Sequence, residues 1–199
     1  VQFRNTLFTH VRRADTPLTD EALISAMKQK WRYNVRLAER RGVTIRLATE
    51  QDYSLLYDMY VETGKRDGFI IREAAYYADA WRTMGGVGLI AQREGTPLAG
   101  LILFAYANRV WYFYGMSRTE GREHMATYAL QWAALRWARD HGYEIYDWWG
   151  APNQLDENDA MWGVYRFKEG FGADFVEGIG AWDFAPNKII YKFAQRFKA

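Results

Sequence analysis

Residues 143–172 read YEIYDWWGAPNQLDENDAMWGVYRFKEGFG. The aromatic and β-branched opening predicts a buried strand over Glu144–Trp149. A polar stretch without periodicity follows. Asp156, Glu157 and Asp159 in it read as carboxylate ligands or as a solvated loop, and charge runs normally face water. The end predicts a short helix over Ala160–Glu169, stopped by glycine. Lys168 is the single lysine of this stretch and stands among Tyr165, Phe167 and Phe171. Such a lysine either lays its stem on apolar surface with its head in water, or sits desolvated, where its charge counts for more.

Outward from this stretch the pattern is regular. Val43–Leu47 predicts a strand, Thr49 or Glu50 opens a helix through Tyr60, and a second helix covers Glu73–Met84 after the Asp67-Gly68-Phe69 bend. Val87–Arg93, Leu98–Ala107 and Val110–Ser117 predict consecutive antiparallel strands with tight connections. A long helix over Glu123–Asp140 is closed by Gly142. Phe175–Trp182 predicts a strand and Lys188–Lys198 a basic terminal helix. In front, Gln2–Arg13 predicts a strand. A helix capped by Thr19 is expected to run unbroken to about Arg41, with Gly42 behind it. Leu23, Met27, Trp31 and Val35 form an apolar stripe on it, while Lys28, Arg32, Arg36 and Arg40 form a basic one.

The order from Val43, β-α-α-β-β-β-α-β-α-β, resembles the acyltransferase fold called GNAT. The expected class is α/β (α+β), a mixed and mostly antiparallel sheet flanked by helices. The expected division is 1–42 as the remnant of a first GNAT-like domain, 43–172 as a GNAT-like domain, and 173–199 as a strand and helix returning to the first.

The chain has 199 residues, enough for a substantial core. It has no cysteine, which excludes disulfides and thiol nucleophiles. Net charge is +2, yet Lys28–Arg46 holds seven basic residues against one acid, so this segment carries +6 and the rest −4. Such a local excess suggests an anionic partner. No apolar run approaches the roughly 20 residues that cross a bilayer. No leader is visible. Because the chain begins at Val1, the expectation is a fragment of a longer protein, and the lack of cysteine fits a reducing, cytoplasmic compartment.

Serine or histidine nucleophile chemistry has little support. No Gly-x-Ser-x-Gly elbow exists, and no histidine pair has metal-ligand spacing. Acyl transfer from an activated ester to an amine needs neither. It needs two substrates held at attack distance and a cation near the developing oxyanion, a role open to Lys168. Arg72 lies four residues before Tyr76 and suits a carboxylate or phosphate; the plainer reading is a surface arginine over a packing tyrosine. Strand alternation puts Tyr112 and Tyr114 on one face and Trp111 and Phe113 on the other. The loop Arg118-Thr-Glu-Gly-Arg-Glu partly follows the pyrophosphate loop of coenzyme A-dependent GNAT enzymes, but Glu123 stands where a small residue is needed.

Several segments resemble the Fem family (FemABX), bacterial aminoacyltransferases of peptidoglycan cross-bridge synthesis. They are KQKWRYNVRLAERRGV (28–43), GFIIREAAYY (68–77), AGLILFAYANRVWYFYGMS (99–117), LQWAALRWARDHGYEIYDWWG (130–150) and GVYRFKEGFG (163–172). The resemblance implies transfer of an amino acid from aminoacyl-tRNA to the stem-peptide amine of a lipid-linked or UDP-linked precursor, without a cofactor. It makes Lys168 the oxyanion- or phosphate-binding lysine, with Phe167 beside it in contact with substrate. Arg72 and Tyr76 grip the anionic precursor, and Tyr112 and Tyr114 wall the channel. Lys28, Lys30, Arg32, Arg36 and Arg40 meet tRNA or the membrane-bound precursor. The alternatives are a coenzyme A-dependent N-acyltransferase and a non-catalytic RNA- or envelope-binding module.

Overall fold

The computed structural model describes residues 3–187 and 190–192. In chain order the elements are β1 (Thr6–His10), β2 (Arg12–Arg13), β3 (Thr16–Pro17), α1 (Asp20–Ala26), α2 (Gln29–Arg40), β4 (Val43–Leu47), α3 (Tyr53–Asp67), α4 (Ala74–Thr83), β5 (Val87–Arg93), β6 (Thr96–Tyr106), β7 (Arg109–Ser117), α5 (Ala126–Asp140), β8 (Ile145–Asp147), α6 (Trp162–Glu169) and β9 (Asp174–Val176). From β4 onward this is the order expected from the sequence.

Seven strands form one sheet in the order β4-β5-β6-β7-β8-β1-β9. Among the described residues only β7 and β8 run parallel within it. β6 is buried from Leu98 through Phe104 because helices cover both faces. One core lies under α2 and α5 and includes Leu101, Leu103, Leu135, Trp148 and Phe171. The other lies under α3 and α4 and includes Leu56, Met59, Tyr77, Trp81 and Ile102. β1 and β9, outside 43–172, hydrogen-bond within this same sheet, with β1 between β8 and β9.

The expected single helix after Thr19 is two. Thr19 caps α1 by accepting the Ala22 N–H, but Met27 and Lys28 are extended, with ψ of 151° and 150°. Tertiary contacts account for the break. The Lys28 N–H donates to the Gly170 carbonyl at 2.9 Å, and the Trp31 indole N–H donates to the Phe167 carbonyl at 2.9 Å. Docking against the end of α6 outweighs two more residues of helix, each worth only about one intrahelical bond.

Three strand predictions were too long. Gln2–Arg13 divides into β1 and β2, and β2 pairs in a small hairpin with β3 beyond it. Glu144–Trp149 contracts to β8, because Trp149 takes a left-handed φ of 53°. Phe175–Trp182 contracts to β9, beyond which Ile179, Trp182 and Phe184 are exposed. Conversely, α3 runs past Tyr60 to Asp67 and stops at Gly68 with φ of 79°. Apart from residues 190–192, the helix expected over Lys188–Lys198 lies outside the described residues.

Candidate functional site

β7 and β8 pair only at Arg109–Trp111 against Ile145–Asp147. Beyond that point β7 continues to Ser117 while the chain after β8 turns away, so the sheet opens between them. Trp149 and Gly150 make the turn, with φ of 53° and 56°. Their carbonyls face inward from this opening.

Lys168 fills that position from α6. It is 6% exposed. Its ammonium donates to the Trp149 carbonyl and, at 2.8 Å, to the Gly150 carbonyl. An ammonium has three N–H donors, so one remains. Burial pulls the Lys168 pKa down to about 7, partly offset by the nearby Asp147 carboxylate. Phe167 turns elsewhere. Consecutive helix residues point roughly 100° apart, and Phe167 packs between Tyr128 and Phe171, each ring 5.3 Å away. The structure therefore buries Lys168 behind the Trp149–Gly150 turn beside the opened sheet and leaves Phe167 partly buried against the core.

The expectation that Tyr112 and Tyr114 share a face is overturned. The register shifts at Ile102/Leu103, where Tyr114 and Tyr112 are the partners and Phe113 is the extra residue. A β-bulge breaks the two-residue alternation. Tyr112 consequently joins the core under α5, with its ring against Trp148 and its hydroxyl folded over Gly115. Burial raises its phenol to about 12. Tyr114 joins the other core, within 5.6 Å of the rings of Tyr60 and Tyr77.

Arg72 precedes α4 rather than lying on it, yet its guanidinium covers the Tyr76 ring at 4.7 Å. Both residues are exposed. Arg72 also acts electrostatically on the Tyr114 phenol, whose pKa burial raises. The bulged Phe113 ties this group to the Lys168 turn, since its ring packs against Trp149 at 4.7 Å and against Tyr114 at 5.0 Å. A chain of aromatic contacts thus joins the two cations.

The basic stripe divides. Lys28 is ion-paired with Glu169, and Arg32 donates to the Met27 and Ser25 carbonyls across the helix break. Lys30, Arg36 and Arg40 are exposed. At the Arg118 loop a carboxylate of the chain itself takes two of the donors. Glu62 accepts the Thr119 N–H at 2.6 Å and pairs with Arg118 at 3.0 Å, which holds its carboxyl below the usual range.

Asp147, Thr6, Arg109 and Trp149 also belong to this constellation, and the sequence reading passed over them. One signal was available: Asp147 is a lone acid inside the apolar run Ile-Tyr-Asp-Trp-Trp, where burial demands partners.

A mixed sheet of this order, opened between two parallel strands, defines a GNAT-like protein. An aminoglycoside acetyltransferase from an uncultured soil metagenomic sample shares it at a TM-score of 0.53 and 12% identity, over 73% of this chain and 97% of the other. The chain belongs to the FemAB family, whose model matches residues 9–86 and 88–199. The fold is that of the solved FemX, with a TM-score of 0.89 at 20% identity, covering 97% of this chain and 64% of FemX. Curated relatives include the Lipid II:glycine glycyltransferases of Staphylococcus saprophyticus and Staphylococcus aureus, 24% and 22% identical over the whole of this chain. The chain spans about 62% of the length of these relatives. No helix among the described residues is long and apolar enough to cross a membrane.

Proposed function

We propose that this chain carries the amine-acceptor side of an aminoacyltransferase that moves an amino acid from aminoacyl-tRNA to the stem-peptide amine of a lipid- or UDP-linked peptidoglycan precursor. The observation that carries this reading is the buried Lys168 ammonium, bonded to the two carbonyls of the turn beside the opened sheet and left with a third donor. Membership of the FemAB family and the names of the staphylococcal relatives support it. The partial span accords with a further proposal, that 1–42 and 173–199 border a preceding GNAT-like half.

In this reading the precursor amine attacks the ester carbonyl. A C–N bond forms and a tetrahedral oxyanion develops. The third N–H of Lys168 donates to that oxygen in a dry setting, where a charged donor stabilises most. The C–O bond to the tRNA ribose then breaks, the attacking amine loses a proton and the departing oxygen gains one. Arg72, on its Tyr76 platform, holds the anionic precursor. Lys30, Arg36 and Arg40 meet the tRNA backbone or an anionic lipid surface, which would put the protein at the cytoplasmic face of the membrane.

The coenzyme A reading is disfavoured because Glu62 sets a carboxylate against the Thr119 N–H and the Arg118 guanidinium, at the loop where a pyrophosphate would bind. The test is transfer from tRNA charged with labelled amino acid to muropeptide precursors, using the full-length protein and Lys168→Met. Label in the precursor with wild type and its loss in the variant support the proposal. Wild-type transfer by Lys168→Met, or saturable micromolar acetyl-CoA binding by calorimetry, overturns it.

A further inference from the structure

Asp147 is 2% exposed and carries a charge into the core. Its carboxylate accepts the Thr6 hydroxyl at 2.5 Å and the Trp149 N–H at 2.9 Å, and pairs with Arg109 at 3.4 Å. The bond to Trp149 matters most. Trp149 is a bulky residue in the left-handed region, a conformation that persists only where the surroundings enforce it. The Asp147 carboxylate anchors the N–H of the very residue whose carbonyl receives Lys168.

We infer that Asp147 is the positioning residue of the Lys168 site: from the end of β8 it fixes the left-handed Trp149–Gly150 turn that seats the ammonium, and supplies the ammonium's buried counter-charge. This rests on the reading of Lys168 as the oxyanion-stabilising cation. Around Lys168 the charged and titratable groups are few. Asp147 comes from β8 and Arg109 from β7, the latter stacked over the Phe8 ring of β1 at 4.4 Å. On α6 itself Arg166 is exposed, and Glu169 is taken by Lys28 from the α1–α2 break. One carboxylate between two cations leaves Arg109, Asp147 and Lys168 with a net charge of +1 when all are ionised. Such a cluster is completed by an oxyanion or a phosphate, and without Asp147 the ammonium would lose its proton more readily. Thr6 brings β1 into the device, so the site depends on a strand far away in sequence.

The test follows the Lys168 side chain by NMR in full-length protein carrying 13C,15N-lysine, its signal assigned by its absence in Lys168→Met. Asp147→Asn keeps the shape and removes the charge. The Lys168 titration midpoint is expected to fall by about one pH unit or more. By reciprocity Lys168→Met raises the Asp147 titration by a matching amount. Should Asp147→Asn fail to fold, the reciprocal arm decides: an Asp147 titration left unmoved by Lys168→Met overturns the inference. An unmoved midpoint in a folded variant overturns the inference, because a merely structural aspartate leaves that titration alone. A moved midpoint in a protein that transfers no amino acid retains the pairing and removes the enzymatic reading.

Discussion

The Lys168 ammonium lies 2.8 Å from the Gly150 carbonyl, in surroundings almost closed to water. Burial lowers its pKa to about 7 from 10.5. Below pH 7 it is protonated in both folded and unfolded chains, and the native state bears the full desolvation cost. Between pH 7 and 10.5 the unfolded chain binds a proton that the native one releases, so stability rises with pH. The slope attributable to this lysine is at most about 1.4 kcal/mol per pH unit. Denaturant midpoints at pH 7 and pH 9 should show it in the wild type and lose it in Lys168→Met. A variant that keeps the whole slope would place its origin in another group.

Lys168→Met should lower kcat for transfer about 10²–10³-fold, the usual cost of deleting one preorganised oxyanion donor. KM for the precursor should change little if the spare N–H acts only in the transition state. A rise in KM at constant kcat would instead assign the lysine to ground-state phosphate binding.

Arg72→Ala should raise KM for the anionic precursor by about 10–100-fold, the worth of one charged hydrogen-bonding pair. Arg72→Lys should recover little, because an ammonium neither forks onto two oxygens nor lies flat on the Tyr76 ring. Precursor binding by calorimetry checks both. Full recovery with lysine would reduce the role of Arg72 to a point charge.

A Cβ added at Gly170 would overlap the Trp31 ring. Gly170→Ala should therefore destabilise the protein by about 1–3 kcal/mol through overpacking. Adding Trp31→Leu to Gly170→Ala should cost less than the sum of the two single changes, since one ring and one methyl compete for the same space. Additive unfolding energies would mean that the helix break yields freely.

Replacing Lys30, Arg36 and Arg40 together should weaken tRNA binding and flatten its dependence on salt, because fewer phosphates are then neutralised and fewer counterions released. Replacing Lys28 and Arg32 should act mainly on stability, because their heads are bound to Glu169 and to the carbonyls at the helix break. Filter binding across a salt series, beside thermal melts, separates the two sets.

Local pattern carried the element order from Val43 onward, the Thr19 cap and the glycine stops at Gly42 and Gly142. Each depends on residues within a few positions of one another. The same pattern named Lys168 and the Arg72–Tyr76 pair. It failed where a distant partner outweighs periodicity: the α1–α2 break made by Gly170 and Phe167, and the Phe113 bulge that separates Tyr112 from Tyr114.

The sequence by itself determined the type of each long element, because hydrophobic period and capping chemistry are local properties, and its resembling segments pointed to the family. Only the tertiary structure decided that β1 enters the sheet beside β8, bringing Thr6 to Asp147, and that a left-handed tryptophan offers its carbonyl to a buried lysine. Those relationships join residues from 6 to 168. They exist only after chain closure has brought the strands together, and no window of local sequence contains them.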